Sequence, residues 1–183
     1  MLVILSGVSG TGKNTIINHL LLDAENRFLI KSATTRAPRG EGMDNNYEFV
    51  TDEEFDRREK NGEFFETINI HTHRSATQFK ELQKIVDNPQ NIYFKDLDVI
   101  GTQKITDYLK DKAKVLTIFV DVPNDILYQR LIARGETDEK AKLRLSRGTL
   151  EREYKKYYDL VIDNIDLDET LNTIRDRLKK EGY

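Results

Sequence analysis

The sequence predicts an α/β fold built on a mainly parallel, doubly wound sheet, and three observations carry that prediction. Short apolar runs recur along the 183 residues: Leu2-Val3-Ile4-Leu5, Phe28-Leu29-Ile30, the stretch from Asn91 to Asp98, Val115 to Val120, and Leu160-Val161-Ile162. Segments with helical apolar spacing lie between them, the alternation expected of strands joined by crossover helices. The first run passes directly into a glycine-rich loop and then a helix, an order that gives such a loop a chemical meaning.

That loop is Gly7-Val8-Ser9-Gly10-Thr11-Gly12-Lys13-Asn14-Thr15. Its glycines allow backbone conformations that let successive N–H groups turn toward one anion, and the helix beginning near Lys13 adds its positive dipole end. Ile16, Ile17, Leu20 and Leu21 give that helix one apolar face. Lys13 is expected to reach the β and γ phosphates of a nucleotide. The residue after the lysine is normally Ser or Thr, whose hydroxyl binds Mg²⁺; here it is Asn14.

Apolar residues make up 38% and charged residues 33% of the chain, as in a soluble globular protein with a heavily charged surface. The length suits one well-buried core with room for a small inserted subdomain. No apolar run approaches the roughly 20 residues needed to span a bilayer, and no secretory leader is predicted, so cytoplasmic location is the expectation. Without cysteine there are no disulfides and no cysteine metal sites. A net charge of −3 gives no global pull toward nucleic acid or membrane. Anionic ligands must then be held by local arginines.

After the first helix, the Phe28-Leu29-Ile30 strand ends at Ser32, and Ala33 to Gly40 places Arg36 and Arg39 around Pro38, on a loop rather than along a helix. Tyr47, Phe49, Phe55, Phe64 and Phe65 lie among many charges and suggest a small subdomain with its own aromatic core. Thr51-Asp52-Glu53-Glu54 is a capped helix start before Phe55. Asp96 and Asp98 close the mid-chain strand Asn91–Asp98, and ligands in open α/β sheets bind outside the carboxyl ends of strands. Ile126 to Arg134 is predicted helical, stopping at Gly135. Glu136 to Arg152 is almost entirely polar, with Arg144, Arg147 and Arg152, and is either a solvated helical excursion or a mobile lid. Leu171, Ile174 and Leu178 mark a terminal helix. His71 and His73 have no evident third partner for a metal.

Several segments, in order, resemble the successive motifs of guanylate kinases: Ser32-Ala33-Thr34-Thr35-Arg36-Ala37-Pro38-Arg39, Tyr47-Glu48-Phe49-Val50, Gly62 to Glu66, Asp96-Leu97-Asp98-Val99-Ile100-Gly101, Arg130-Leu131, Arg134-Gly135 and Val161-Ile162-Asp163-Asn164. The likeness covers nearly the whole chain. It implies a P-loop NTPase core over residues 1–32, 91–134 and 150–183, an inserted α+β subdomain for the nucleoside monophosphate over 33–90, and a lid over 135–149. It implies the reaction of ATP with GMP or dGMP, with Mg²⁺, by a monomer or homodimer. Carried over by position, Ser32, Arg36, Arg39, Tyr47, Glu66, Thr77 and Asp98 bind GMP. The carboxylates of Glu66 and Asp98, acceptors only, face the N1–H and N2–H₂ donors of guanine. Gly7 to Thr15 and Asn164 bind ATP, with Asn164 near adenine. Lys13, Arg36, Arg130, Arg134 and Arg144 stabilise the transferring group, and Asn14 and Asp96 attend the metal.

Three positions depart from that pattern. Asn14 replaces the metal-binding hydroxyl, Ser75 in Arg74-Ser75-Ala76-Thr77 stands where a tyrosine meets the GMP phosphate, and Ile100 replaces a glutamine. Two other readings share the motifs: a P-loop kinase for another phosphorylated acceptor, and a catalytically weak guanylate-kinase-like binding module.

Overall fold

The computed structural model describes residues 1–38, 45–70 and 73–183. The elements run in the order β1 (Leu2–Ser6), α1 (Lys13–Leu21), β2 (Arg27–Leu29), β3 (Ser32–Thr34), β4 (Tyr47–Phe49), α2 (Asp52–Lys60), β5 (Phe64–Ile70) and β6 (His73–Gln78). They continue with α3 (Phe79–Asp87), β7 (Ile92–Asp96), α4 (Val99–Leu109), β8 (Val115–Asp121), α5 (Asn124–Ala133), α6 (Asp138–Arg152), β9 (Leu160–Asp163) and α7 (Leu167–Lys180).

Every residue of β1 is buried, which only a strand covered on both faces can be. It lies at the centre of a five-stranded sheet of order β2-β7-β1-β8-β9 in which every pairing is parallel. Its alternate residues serve two cores. Val3 and Leu5 pack with Ile16, Leu20, Leu171 and Ile174, from α1 and α7. Leu2 and Ile4 pack on the other face with Leu82, Ile85, Ile105 and Leu109, from α3 and α4. Each such side chain contributes roughly 1.5–3 kcal/mol of burial. The doubly wound arrangement expected from the sequence is the arrangement found.

The apolar run at Phe28-Leu29-Ile30 splits where a single strand was expected. β2 stops at Leu29, and after Ile30 the chain leaves the main sheet; Ser32 begins β3 of a second sheet, of order β4-β3-β6-β5. Here β3 pairs with β4 in parallel and with β6 antiparallel, and β5 and β6 form a hairpin. One face of this sheet packs Ala33, Phe64 and Ala76 on the fully buried Phe55 of α2. The expected cap is present, Thr51 accepting from the Glu54 N–H at 3.2 Å, with acidic residues in the first turn and basic ones in the last. Among the described residues no helix is long and apolar enough to cross a membrane.

Candidate active site

β1 delivers the chain to the glycine loop at the carboxyl end of the sheet, beside the end of β7, where Leu5 pairs with Asp96. Gly7 has φ +127°, and a Cβ there would lie 2.0 Å from the Val120 carbonyl oxygen. Gly12, at φ +94°, caps α1, and a Cβ on it would lie 2.7 Å from Asn164 Nδ2. The N-terminus of α1 has no side-chain cap and no acidic residue in its first turn. Its first N–H groups and its dipole are therefore available to an anion. Lys13 Nζ donates to Gly7 O at 2.7 Å and Val8 O at 3.2 Å and lies 3.8 Å from Asp96 Oδ1.

The second sheet builds the facing wall. Ser32 pairs with Tyr47 on one side and Thr77 on the other, and Thr77 pairs with Glu66, so Tyr47, Ser32, Thr77 and Glu66 form one row across four strands. Directly opposed residues share a face. Glu66 reaches that face through a bulge: Phe64 pairs with Gln78, Glu66 with Thr77, and Phe65 is the extra residue. In a regular ladder that included Phe65, Glu66 would oppose Ala76 and fall on the same face as Phe64, which packs on Phe55 with ring centroids 4.6 Å apart. Asp98 caps α4, its Oδ1 accepting from the Gly101 N–H at 2.7 Å. Ser6 holds this corner by donating to Leu97 O at 2.7 Å.

Both walls line one cavity of about 480 Å³, which includes Gly12, Lys13, Ser32, Glu66, Thr77 and Asp98. A neighbouring cavity of about 610 Å³ shares Ser9, Gly10, Asn14, Thr15 and Arg134 with it, so the two are continuous along the loop. Glu66 is buried, and neither carboxylate oxygen has a hydrogen-bond partner among the described residues, Lys104 Nζ standing 3.6 Å from Oε2. Burial, reinforced by Asp98, pushes the Glu66 carboxyl above the usual range, against the pull of Lys104 and Lys95. Burial also raises Asp96, opposed by Lys13 and Lys95. Glu151 of α6 lines the same cavity and is raised by burial in the same way.

The remaining expected residues are distributed around this cleft. Arg36 stacks over the rings of Tyr47 and Phe49, 5.0 and 5.6 Å from their centroids, and its Nη1 donates to Ala37 O. Arg134 lines both cavities. Arg144 bonds Glu136 at 2.7 Å and reaches Ser9 of the loop. Arg130 is turned to Ile165 O at 3.2 Å. Asn164 is buried against the loop, its Nδ2 donating to Thr11 O at 2.7 Å, while its Oδ1 has no partner among the described residues. Arg39 and His71 lie outside the described residues. Val8 belongs to a small core with Leu127, Leu131 and Ala141.

Two features were not foreseen. The polar segment after Gly135 is helical, one of the two expected alternatives, but α6 packs against the glycine loop instead of being solvated all round. Its Ala141 is buried and Gly148 lies so close to the loop that a Cβ would sit 2.7 Å from Val8 Cγ1. Two small residues two helical turns apart mark such a face, and the surrounding charges hid it. The other is Lys95, 1% exposed near the carboxyl end of β7, donating to Ser32 Oγ at 2.8 Å. Burial lowers its ammonium to about 8, opposed by Glu66, Asp96 and Glu81. A lone lysine in an apolar strand gave no signal of this placement.

Comparison with known proteins gives the frame in which these residues belong. The family model of guanylate kinases matches residues 1–181. The chain belongs to the guanylate kinase family. The guanylate kinase of Bacteroides thetaiotaomicron is 39% identical, over 98% of this chain and 91% of that protein, and the guanylate kinase of Porphyromonas gingivalis is 38% identical over 95% and 94%. The crystal structure of guanylate kinase from Anaplasma phagocytophilum superposes with a TM-score of 0.74 at 30% identity, covering 99% of this chain and 85% of that one. A shikimate kinase from Bacteroides thetaiotaomicron, at 13% identity and a TM-score of 0.52, shares the fold alone.

Proposed function

We infer that this guanylate kinase transfers the γ-phosphoryl group of ATP to GMP, or dGMP, giving ADP and GDP or dGDP. The observation that carries the acceptor assignment is Glu66, a buried carboxylate without a hydrogen-bond partner among the described residues, in a row with Ser32 and Thr77 and in one cavity with Lys13. Guanine supplies the donors that Glu66 and Asp98 lack. Arg36 and Tyr47, with Arg39, would hold the GMP phosphate. The loop from Gly7 to Thr15 would cradle the ATP phosphates, with Lys13, Arg130, Arg134 and Arg144 around the transferring group and Asn164 at the adenosine side. Little covalent chemistry falls to the protein, which aligns donor and acceptor and neutralises the charge between them. Closure of the inserted sheet and the α6 segment over both nucleotides would exclude water from the transfer.

Asp96, 3.8 Å from Lys13, and Asn14 line the same cavity and fit Mg²⁺, which takes few protein oxygens beside its waters and phosphates. Bound there, the ion would neutralise phosphate charge. We place the enzyme in the cytoplasm, as a monomer or homodimer without nucleic-acid or membrane partners.

Coupled measurement of ADP release with GMP, dGMP, AMP and a phosphorylated sugar tests this reading. GMP and dGMP are turned over, and AMP, whose N1 is an acceptor facing a carboxylate, is slower by about 10⁴-fold, the discrimination reached by sites with buried polar groups. Comparable turnover of AMP and GMP overturns the acceptor assignment.

A further inference from the structure

The acceptor-side wall of the cavity contains two kinds of group. Glu66 and Asp98 are hydrogen-bond acceptors. Ser32, two strands away from Glu66 in the same row, could be either donor or acceptor, since a hydroxyl has one hydrogen and two lone pairs. What decides its role is behind it. Lys95 comes from the main sheet, on β7, and its Nζ ends 2.8 Å from Ser32 Oγ. An ammonium has three N–H donors and no lone pair. Ser32 Oγ must therefore accept from Lys95, and its own hydrogen must point elsewhere. No acceptor for that hydrogen is found among the described residues, and Ser32 lines the cavity.

We propose that Lys95 is a positioning residue for recognition of the acceptor base: by occupying a lone pair of Ser32 Oγ it fixes that hydroxyl as a donor toward position 6 of the purine. The bond is charge-assisted and polarises the hydroxyl it feeds, which strengthens the next bond in the chain. A 6-oxo purine offers an acceptor there, and a 6-amino purine offers N–H donors that would oppose the Ser32 hydrogen. The wall then presents donor, acceptor, acceptor in the sense of guanine O6, N1–H and N2–H₂. The nearby carboxylates Glu66, Asp96 and Glu81 favour the Lys95 ammonium against the cost of its burial.

This rests on GMP being the acceptor, and the test separates the two claims. 6-Thio-GMP keeps N1–H and N2–H₂ but carries a weak sulfur acceptor at position 6. The wild-type enzyme should prefer GMP over 6-thio-GMP in kcat/KM. Lys95→Met, which keeps the stem and removes the donors, should raise KM for GMP about tenfold, the share of one charge-assisted bond, and leave KM for ATP within twofold. It should also narrow the preference for GMP over 6-thio-GMP. Ser32→Ala should narrow it by a similar factor, and the double variant should show no further loss, because both act through one hydroxyl. Lys95→Gln, which retains N–H donors without the charge, should recover part of the preference. It serves as the second variant if Lys95→Met does not fold.

Equal losses for GMP and 6-thio-GMP in the Lys95 variants, or losses that add to those of Ser32→Ala, would mean that Lys95 only supports the fold, and would overturn the proposal. So would a wild-type enzyme indifferent between GMP and 6-thio-GMP. A wild-type protein that phosphorylates other acceptors but not GMP overturns the acceptor reading itself, and this inference with it.

Discussion

Lys13 and Glu66 line the same cavity, yet the chain satisfies the first and leaves the second wanting. Lys13 is anchored by the Gly7 and Val8 carbonyls, Thr11 Oγ1 folds back to Val8 O, and Asn164 holds Thr11 O from behind. Glu66 has two buried oxygens without hydrogen-bond partners among the described residues and a lysine only at 3.6 Å. The loop is preorganised by its own chain, and a ligand enters a shape that already exists. The acceptor wall carries an electrostatic cost that a ligand with the right donors relieves, so it trades stability for selectivity.

If the comparison holds, a change in the loop should break fold and binding together. Gly7→Ala introduces a Cβ 2.0 Å from Val120 O at a φ that L side chains rarely adopt. We expect a loss of stability on the order of 3 kcal/mol or more, read by thermal melting, with ATP binding abolished. A variant that melts like the parent and binds ATP would show that the loop is less constrained than its geometry.

A change at the acceptor wall should separate the two properties. Glu66→Gln should lower kcat/KM for GMP by about 2 to 3 kcal/mol, the value of a charge-assisted bond, while raising the stability of the nucleotide-free protein by roughly 1 kcal/mol at neutral pH. The sign follows from the raised Glu66 carboxyl. A carboxyl whose folded pKa lies above its unfolded value contributes stability below the unfolded pKa, and that contribution is lost as pH rises through the folded pKa. The stabilising effect of Glu66→Gln should therefore shrink as the medium is acidified below the ordinary glutamate range. A melting point lowered by the substitution at every pH would contradict the trade.

If the guanidinium of Arg36 holds the acceptor phosphate, Arg36→Ala should cost about 2 kcal/mol in kcat/KM for GMP with ATP titration nearly unchanged. An unaltered GMP titration would return Arg36 to its role as a cation over Tyr47 and Phe49. The smallest effect is expected at Asn14. Asn14→Ser should lower the Mg²⁺ concentration for half-maximal activity a few-fold without reducing kcat, since a compact hydroxyl suits an inner-sphere ligand at about 2.1 Å. Loss of activity in that variant would assign Asn14 a role of its own.

What the sequence disclosed follows the same division. β1, the loop and α1 are written in adjacent residues, so their periodicity and glycine spacing are read directly. The inserted sheet is not, because β3, β5 and β6 mix polar and apolar residues and have one face on α2 and the other on a cavity. Ser32, Tyr47, Glu66 and Thr77 were found by resemblance, while their assembly into a row depends on pairings that no local pattern reveals. Lys95 and Glu151 went unnoticed for a related reason. A charged residue in a strand or at the end of a polar helix looks solvated until another element covers it.

Phe65 brings counting into the specificity of this enzyme. Its ring packs against Phe79 and Tyr108, at centroid distances of 5.7 and 4.9 Å, so the supernumerary residue of β5 also fastens the inserted sheet to α4 of the main body. Removing Phe65 would set Glu66 directly after Phe64, opposite Thr77 and Gln78 respectively in an unbroken ladder, so Glu66 would keep its face while the ring that fastens the sheet was lost. Straightening the strand with Phe65 kept in the ladder is what would turn Glu66, by setting it opposite Ala76 on the face that packs on Phe55. Two separate properties of position 65 therefore matter, its exclusion from the ladder for the face on which Glu66 stands and its ring for the hold on α4.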